Sequence, residues 1–283
     1  MLEVTHLNKE QFQNLLDLQQ QVKRKVKYTA PLYIHIIRAQ RPYPCNILAY
    51  HGKELIGFSS RFLFHEQEVE LSLIMHPKFK SAFLAKKLLI PLLKYIPLEY
   101  KKTVIITTPH NQRPDFHSEK NWEFLFSSHR LQWQGIASKP PVIEELDIIK
   151  AQPQHFENFQ EIIHTCFPNG TQIVSEIYEH LMDNPLVQIY LLKKQNDILG
   201  AIQINQENKI YRISDVSILP AHRKQGYANY LLSHIIHQLA SKHKDIILDV
   251  ESRNHFVLAW YLRMGMKEIN ICDYWRIPYS EIF

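Results

Sequence analysis

The sequence predicts a mixed α+β (α/β) protein built as two tandem copies of one domain, each a mostly antiparallel twisted sheet flanked by helices. Three observations predict it. The chain has 283 residues, roughly twice a common domain size. Its two halves keep step at an offset of 143 residues. Each half reads as β-α-α-β-β-β-α-β-α-β, an antiparallel meander followed by one crossover helix. The offset rests on punctuation. Glu54-Leu55-Ile56-Gly57 lies on Asp197-Ile198-Leu199-Gly200, Pro77 on Pro220, Leu88-Leu89 on Leu231-Leu232, and Asn111 on Asn254, without a gap. A duplication of domain size is the reading. The halves meet at Gly135-Ile136-Ala137-Ser138-Lys139-Pro140-Pro141, where two prolines exclude helix and central strand. The expected domains are 1–137 and 141–283.

The elements are clearest in the second half. Val142 to Ile149 reads as a strand, then Pro153 to Cys166 and Gln172 to Met182 as helices. Val187 to Lys193, Ile198 to Ile204 and Ile210 to Leu219 are rich in β-branched and aromatic residues and read as three strands. Lys194-Gln195-Asn196-Asp197 joins the first two as a hairpin. A helix comes next, from about Lys224 to Lys242, since Ala228, Leu231, Leu232, Ile235 and Leu239 share one face. Asp245 to Glu251 is a strand, Asn254 to Met264 a short helix, and Met266 to Ile277 the last strand. The first half repeats the order with weaker signals.

Composition is that of an ordinary globular protein: 45% hydrophobic and 22% charged residues. A disordered tail, a collagen and a disulfide scaffold are excluded. The formal charge of +5 is too small a bias to argue for nucleic acid. The one basic run, Lys23-Arg24-Lys25-Val26-Lys27, lacks interleaved aromatics and reads as the solvated end of a helix. Cys45, Cys166 and Cys272 lie far apart and offer no metal or disulfide spacing, so small buried hydrophobes in a reducing compartment are expected. Met1 to Lys9 lacks an apolar h-region. The best apolar run, Phe83 to Ile96, is cut by Lys86, Lys87, Pro91 and Lys94, short of the ~20 residues of a membrane span. A cytoplasmic protein without membrane contact is expected.

With only seven glycines, their places are informative. Gly226 falls in Pro220-Ala221-His222-Arg223-Lys224-Gln225-Gly226-Tyr227-Ala228-Asn229, where a strand gives way to an amphipathic helix. A helix N-terminus offers unpaired N–H groups and a positive dipole end, which suit an anion. Gly226, inside the expected first turn, and Ala228 keep the wall low, and Arg223 and Lys224 add positive charge. Phosphate binding and a loosely capped basic helix start both fit this pattern.

Arg223-Lys224-Gln225-Gly226-Tyr227-Ala228 resembles the Q/R-x-x-G-x-G/A signature of the GNAT acetyltransferase superfamily. Leu248 to Asn254, followed by Ala259-Trp260-Tyr261-Leu262-Arg263-Met264-Gly265-Met266, resembles that family's second signature. The spacing is most similar to the ribosomal-protein N-terminal alanine acetyltransferases, over about 187–277. The resemblance implies an acetyl-CoA site. The amides of Gln225 to Asn229 would hold the pyrophosphate. The pantetheine arm would pair near Ile218 and Leu219, where strands 210–219 and 245–251 splay. Asn254 would contact the pantetheine. Transfer in this family is usually direct, from thioester to amine.

Such a transfer needs a deprotonated amine, a donor for the oxyanion and an acid for the thiolate. Tyr261 matches the family's general-acid tyrosine. Asp249 stands 12 residues before it, where the alanine acetyltransferases place a glutamate base; it is one methylene shorter. Glu251, Asp215 and Ser217 are further candidates for the base. His234 and His237 lie three apart on a helix and His222 beside the loop, but no converging ligands accompany them, so no metal site is expected.

The first half departs from the family pattern. Phe83 stands where Gly226 does. Ser118 stands opposite Tyr261 at the fixed offset, or His117 if one residue is missing. A degenerate copy is expected there, covering the sheet and shaping the acceptor pocket. The function expected is that of an N-acetyltransferase acting on a primary amine of a small molecule or a peptide. A non-catalytic acyl-CoA sensor and a tandem aminoacyl transferase of the peptidoglycan type are the alternatives.

Overall fold

The computed structural model describes all residues except 66–67, 95, 97–102, 113–121, 136–139, 141, 168–183, 208, 243 and 280–283. In chain order the first elements are β1 (Leu2–Val4), α1 (Lys9–Val26), α2 (Ile34–Arg38), β2 (Asn46–His51), β3 (Glu54–His65), β4 (Glu68–Met75), α3 (Ala82–Leu93), β5 (Thr103–Pro109) and β6 (Glu123–Trp133). Next come β7 (Leu146–Lys150), α4 (Phe156–Cys166), β8 (Val187–Lys194), β9 (Asp197–Glu207) and β10 (Ile210–Ile218). The last are α5 (Tyr227–Ala240), β11 (Asp245–Glu251), α6 (His255–Arg263) and β12 (Met266–Pro278). The mixed α/β, mostly antiparallel architecture read from the sequence is observed. The expected helix at 172–182 and the stretch 116–121 lie outside the described residues.

The chain forms two compact units. One comprises Met1–His129, Glu251–Asn254 and Asn270–Phe283, the other Arg130–Val250 and His255–Ile269. The chain therefore re-enters the first unit at its C-terminal strand: Cys272–Pro278 of β12 pair antiparallel with Thr103–Pro109 of β5.

Within each unit the ladders repeat. β2, β3 and β4 form an antiparallel meander, and α3 crosses over to bring β5 parallel to β4. β8, β9 and β10 form the same meander, and α5 brings β11 parallel to β10. The register obeys the offset of 143: Gly57 faces Met75 as Gly200 faces Ile218, and Glu70 faces Ile105 as Ile213 faces Leu248.

Apolar faces account for the packing. In the first unit, Leu84, Ala85, Leu88, Leu89 and Leu92 of α3 pack on Val69, Leu71 and Leu73 of β4. Leu15, Leu18 and Val22 of α1 cover the other face with Phe58 and Ile74. α1 starts in a reciprocal cap: Asn8 Oδ1 accepts from Gln11 N and Asn8 N donates to Gln11 Oε1. It ends on the basic run, at the negative end of its dipole. In the second unit, Leu231, Leu232, Ile235 and Leu239 of α5 pack on Ile204, Ile213 and Leu248. Phe159, Ile162 and Ile163 of α4 cover Ile189, Leu191 and Ala201 on the opposite face.

Two boundaries differ from expectation. β7 begins at Leu146, not Val142, because Leu146 N donates to Ile143 O and closes a turn ahead of it. α5 begins at Tyr227, not Lys224, because Lys224 and Gly226 have positive φ (63° and 82°), which no right-handed helix admits. Gly226 is thus the residue before the helix, not part of its first turn. Among the described residues, no helix is long and apolar enough to cross a membrane.

The first unit holds a buried acid. Glu70 is 8% exposed, and Tyr33 Oη donates to its Oε1 at 2.9 Å. Burial pushes its pKa from 4.5 up to about 7, against the smaller opposing effect of the Tyr33 hydrogen bond. The folded pKa lies above the unfolded one. Stability is therefore fully present below about pH 4.5 and lost as pH rises through about 7. The complete loss is on the order of 3 kcal/mol. Glu70→Gln should remove this slope, so that urea midpoints at pH 6 and pH 8 converge in the variant while the wild type is weaker at pH 8.

Candidate active site

The second unit carries its bulge on a different strand from the first. Along β9 and β10 the pairs run Ile213–Ile204 and Ser214–Gln203, then jump to Ser217–Ala201. Two residues, Asp215 and Val216, therefore oppose Ile202 alone, a β-bulge. Asp215 takes φ +52°. The extra residue reverses the facing of the rest of the strand: Tyr211 and Ile213 point into the α5 core, and past the bulge so do Val216 and Ile218.

The bulge also ends the parallel ladder. β10 and β11 pair only from Ile210–Asp245 to Ile213–Leu248. Beyond this, Ser214–Ile218 and Asp249–Glu251 are unpaired with each other, so the strands splay as expected. In the first unit the equivalent ladder continues to Ser72–Thr107 and Ser60 faces Ser72; the irregularity lies instead in β3, where residues 63 and 64 oppose Val69 alone. Past that ladder's end, the space between Leu73, Met75, Thr108 and Pro109, with Val22 and Val26 of α1, is a cavity of about 10 Å³, enough for one water.

The helix starts differ in the same sense. α3 is capped by its own Ser81, whose Oγ accepts from Leu84 N at 3.2 Å. α5 has no side-chain cap. Its first helical bond runs from Tyr230 N to Gly226 O (3.0 Å), leaving the N–H groups of Tyr227, Ala228 and Asn229 without helical partners. A Cβ at Gly226 would meet nothing within 4 Å. An open, uncapped helix start fits a diphosphate. At the matching place of α3, Phe83 is 69% exposed and Lys87 Nζ lies 4.4 Å from its ring centroid.

The structure also places the other expected contacts. Arg223 turns back, and its Nε donates to Ile218 O at 2.9 Å. Leu219 N donates to Leu199 O, while Lys224 and Gln225 are exposed. Asn229 Oδ1 accepts from Trp260 Nε1, tying the start of α5 to the second half of α6. Asn254 is exposed in the turn after β11, where its N donates to Glu251 O; both belong to the first unit. His234 Nδ1 is 2.8 Å from Tyr230 O, its own helix's carbonyl.

Tyr261 of α6 is 6% exposed within the α5 core. Burial, and after it the negative charge of Asp215, pushes its pKa well above 10. The phenol thus stays protonated and within electrostatic reach of the bulge carboxylate. Asp249 lies on the opposite face of β11. Its Oδ1 accepts from Arg130 Nε at 2.8 Å and its Oδ2 from Arg212 Nη1 at 2.7 Å. Neither arginine stands out in the sequence, since nothing in a linear reading joins 130, 212 and 249. The bulge did leave a mark: Ile213 and Val216 stand three apart in a strand whose apolar residues otherwise alternate.

In the second unit the parallel pair thus opens at a bulge, in front of an uncapped helix start. The comparisons specify the class. Residues 156–266 match the model of the acetyltransferase (GNAT) family. Acetyl transfer is the chemistry of that family. Comparison with curated protein sequences gives no match. Among solved structures, the chain is similar to a GCN5-related N-acetyltransferase from Sphaerobacter thermophilus, with 15% identity, 86% of this chain and 84% of that one covered, and a TM-score of 0.69. It is similar to a tandem GNAT protein from the clavulanic acid biosynthesis pathway, with 9% identity, 98% and 97% covered, and a TM-score of 0.65. It is also similar to a GNAT-family acetyltransferase from Colwellia psychrerythraea, with 16% identity, 97% and 99% covered, and a TM-score of 0.55. At these identities the likeness is one of fold.

Two glycines should separate conformational from steric cost. Gly226→Ala places a Cβ in open space at φ +82° and should cost about 1–2 kcal/mol. Gly200→Ala places one 2.3 Å from Ser217 O and should cost about 3 kcal/mol, the upper end for overpacking. Urea titration of the two variants measures the difference.

Proposed function

We propose that the second unit binds acetyl-CoA and transfers its acetyl group directly to a primary amine of a small molecule or peptide. The observation that carries this reading is the β10 bulge, which opens the β10–β11 ladder in front of the uncapped start of α5. The amides of Gln225 to Asn229 take the pyrophosphate, with Lys224 adding charge and Gly226 admitting the close approach. The pantetheine arm runs beside Ile218 and Leu219. CoA supplies the activated acetyl thioester.

The chain's own groups handle charge and protons. The amine nitrogen forms the new amide bond as the C–S bond breaks. Tyr261 donates a hydrogen bond to the departing sulfur. Its raised pKa suits a donor that keeps its proton more than one that gives it up. Asp249 has both carboxylate oxygens engaged, by Arg130 and by Arg212, and lies on the face of its strand away from the core that holds Tyr261. Asp215, whose charge is felt by Tyr261, is the better base. The first unit is read as a degenerate copy on its closed ladder, its Ser81 cap and Phe83. A cytoplasmic location fits the three free cysteines.

Gly226→Asp should abolish CoA binding in calorimetry while the thermal unfolding transition persists, because it sets a carboxylate facing the pyrophosphate. Wild type should bind one CoA per chain. Unchanged affinity in the variant, or two CoA per chain, would contradict the assignment.

Tyr261→Phe should leave CoA affinity within about two-fold and lower kcat by about 10²-fold. That split marks an interaction made in the transition state. Thiol release with an amine acceptor, beside CoA titration, measures both. Full kcat in the variant would remove Tyr261 from the reaction.

A further inference from the structure

The face of the second unit's sheet that carries Ala201 also carries a line of polar side chains ending at the bulge. Gln203 pairs directly across the strands with Ser214, and Asn205 with Arg212. Gln203 Nε2 donates to Asn205 Oδ1 at 3.2 Å, Asn205 Nδ2 to Ser214 Oγ at 3.5 Å, and Ser214 Oγ to Asp215 Oδ2 at 3.3 Å.

The charge of Asp215 fixes the direction of this chain. An ionised carboxylate only accepts, so the single hydroxyl proton of Ser214 goes to it. Ser214 Oγ then accepts from the Asn205 amide, and the Asn205 carbonyl accepts from the Gln203 amide. Reversing either amide would set donor against donor or acceptor against acceptor. The far end is therefore an acceptor with nothing to accept from. Gln203 is 5% exposed, and its Oε1 is buried without a hydrogen-bond partner. A buried carbonyl oxygen of this kind calls for an outside donor.

We propose that Gln203 selects the acceptor, its Oε1 taking a hydrogen bond from an N–H or O–H group that the acceptor carries beside its amine. The proposal rests on the acetyltransferase reading, in which the amine lies at Asp215. Gln203 is directly paired with Ser214, the neighbour of Asp215, and directly paired residues of antiparallel strands stand about 5 Å apart, so donor and amine belong to one small acceptor. Amino sugars, amino alcohols and α-amino amides fit this requirement; plain alkylamines do not. A polar group with a required partner discriminates far more sharply than an apolar wall, because the wrong ligand leaves it unpaired.

The test is a calorimetric titration of wild type, with and without CoA, using two matched pairs: glycinamide against propylamine, and glucosamine against cyclohexylamine. The donor-bearing amine of each pair should bind ten-fold or more tightly. Gln203→Leu should erase the preference, while Gln203→Glu, which keeps an oxygen acceptor in place, should retain it. CoA affinity of both variants should match wild type, which reports that they are folded. No preference in wild type, or an undiminished one in Gln203→Leu, overturns the proposal. Loss of CoA binding in wild type would instead count against the acetyltransferase reading, and acceptor preference without CoA would still decide the role of Gln203.

Discussion

One extra residue in β10 governs the site. An antiparallel ladder joins β9 to β10 on one side, and a parallel ladder joins β10 to β11 on the other. Both cannot stay in register once Asp215 and Val216 share a single partner. The antiparallel side recovers within two residues. The parallel side does not, and its strands stay apart from Ser214 onward. β4 shows the alternative. Without the insertion its parallel ladder runs on to Ser72–Thr107, and the space beyond has room for a water. Opening a sheet normally exposes an edge that invites pairing with another chain. Here the opening is confined to one end of one pair, where an extended ligand can take the vacant ladder positions.

The start of α5 is built for the same purpose by a different means. Lys224 and Gly226 both take positive φ, so the chain turns sharply and enters the helix with its first amides uncovered. A side chain that bonds those amides, as Ser81 does at α3, stabilises a helix and blocks an anion at once. Dispensing with the cap costs about 1 kcal/mol, which an anion bound at those amides would offset. Arg223 contributes mainly to the scaffold, since its guanidinium holds the carbonyl of Ile218 at the strand's end. The positive field at the loop thus comes chiefly from oriented backbone, which is fixed before any ligand arrives.

Much of this is legible in the sequence. The offset of 143 reproduces the observed ladder pairs except along β3–β4 and β9–β10 beyond the bulge, where Ser60 faces Ser72 but Gln203 faces Ser214, and the strands and helices expected in the described part of the second half match the observed ones to within a few residues. Periodicity and punctuation carry that information because they are local. The start of α5 escapes them because apolar spacing runs on through residues that are not helical; positive φ at Lys224 leaves no mark in composition. The partners of Asp249 are out of reach for a different reason. Arg130 and Arg212 are 119 and 37 residues away from it along the chain, and only the sheet order brings them together. Gln203 gives no signal either: a glutamine in a strand is ordinary until both ends of its amide are accounted for.

The repeat glycines show how one inherited position can serve two constraints. Gly57 and Gly200 sit at the same ladder place. A Cβ on Gly57 would meet Leu88 Cδ1 at 2.8 Å, the far end of a flexible side chain on the crossover helix. On Gly200 it would meet Ser217 O at 2.3 Å and Ile218 Cδ1 at 2.5 Å. The first of these is backbone of β10, just past the bulge. After the inserted residue the strand must return to register within one pair, and it does so by bringing its carbonyl against Gly200. Any larger residue there would push the strand back out and lengthen the disruption beyond Ile218, moving the carbonyl that Arg223 holds. Leu88 can yield to a methyl group; a strand fixed by hydrogen bonds on both sides of the bulge cannot. The glycine that serves helix packing in the first unit is thus, in the second, what confines the bulge to two residues and keeps the opening aimed at the start of α5.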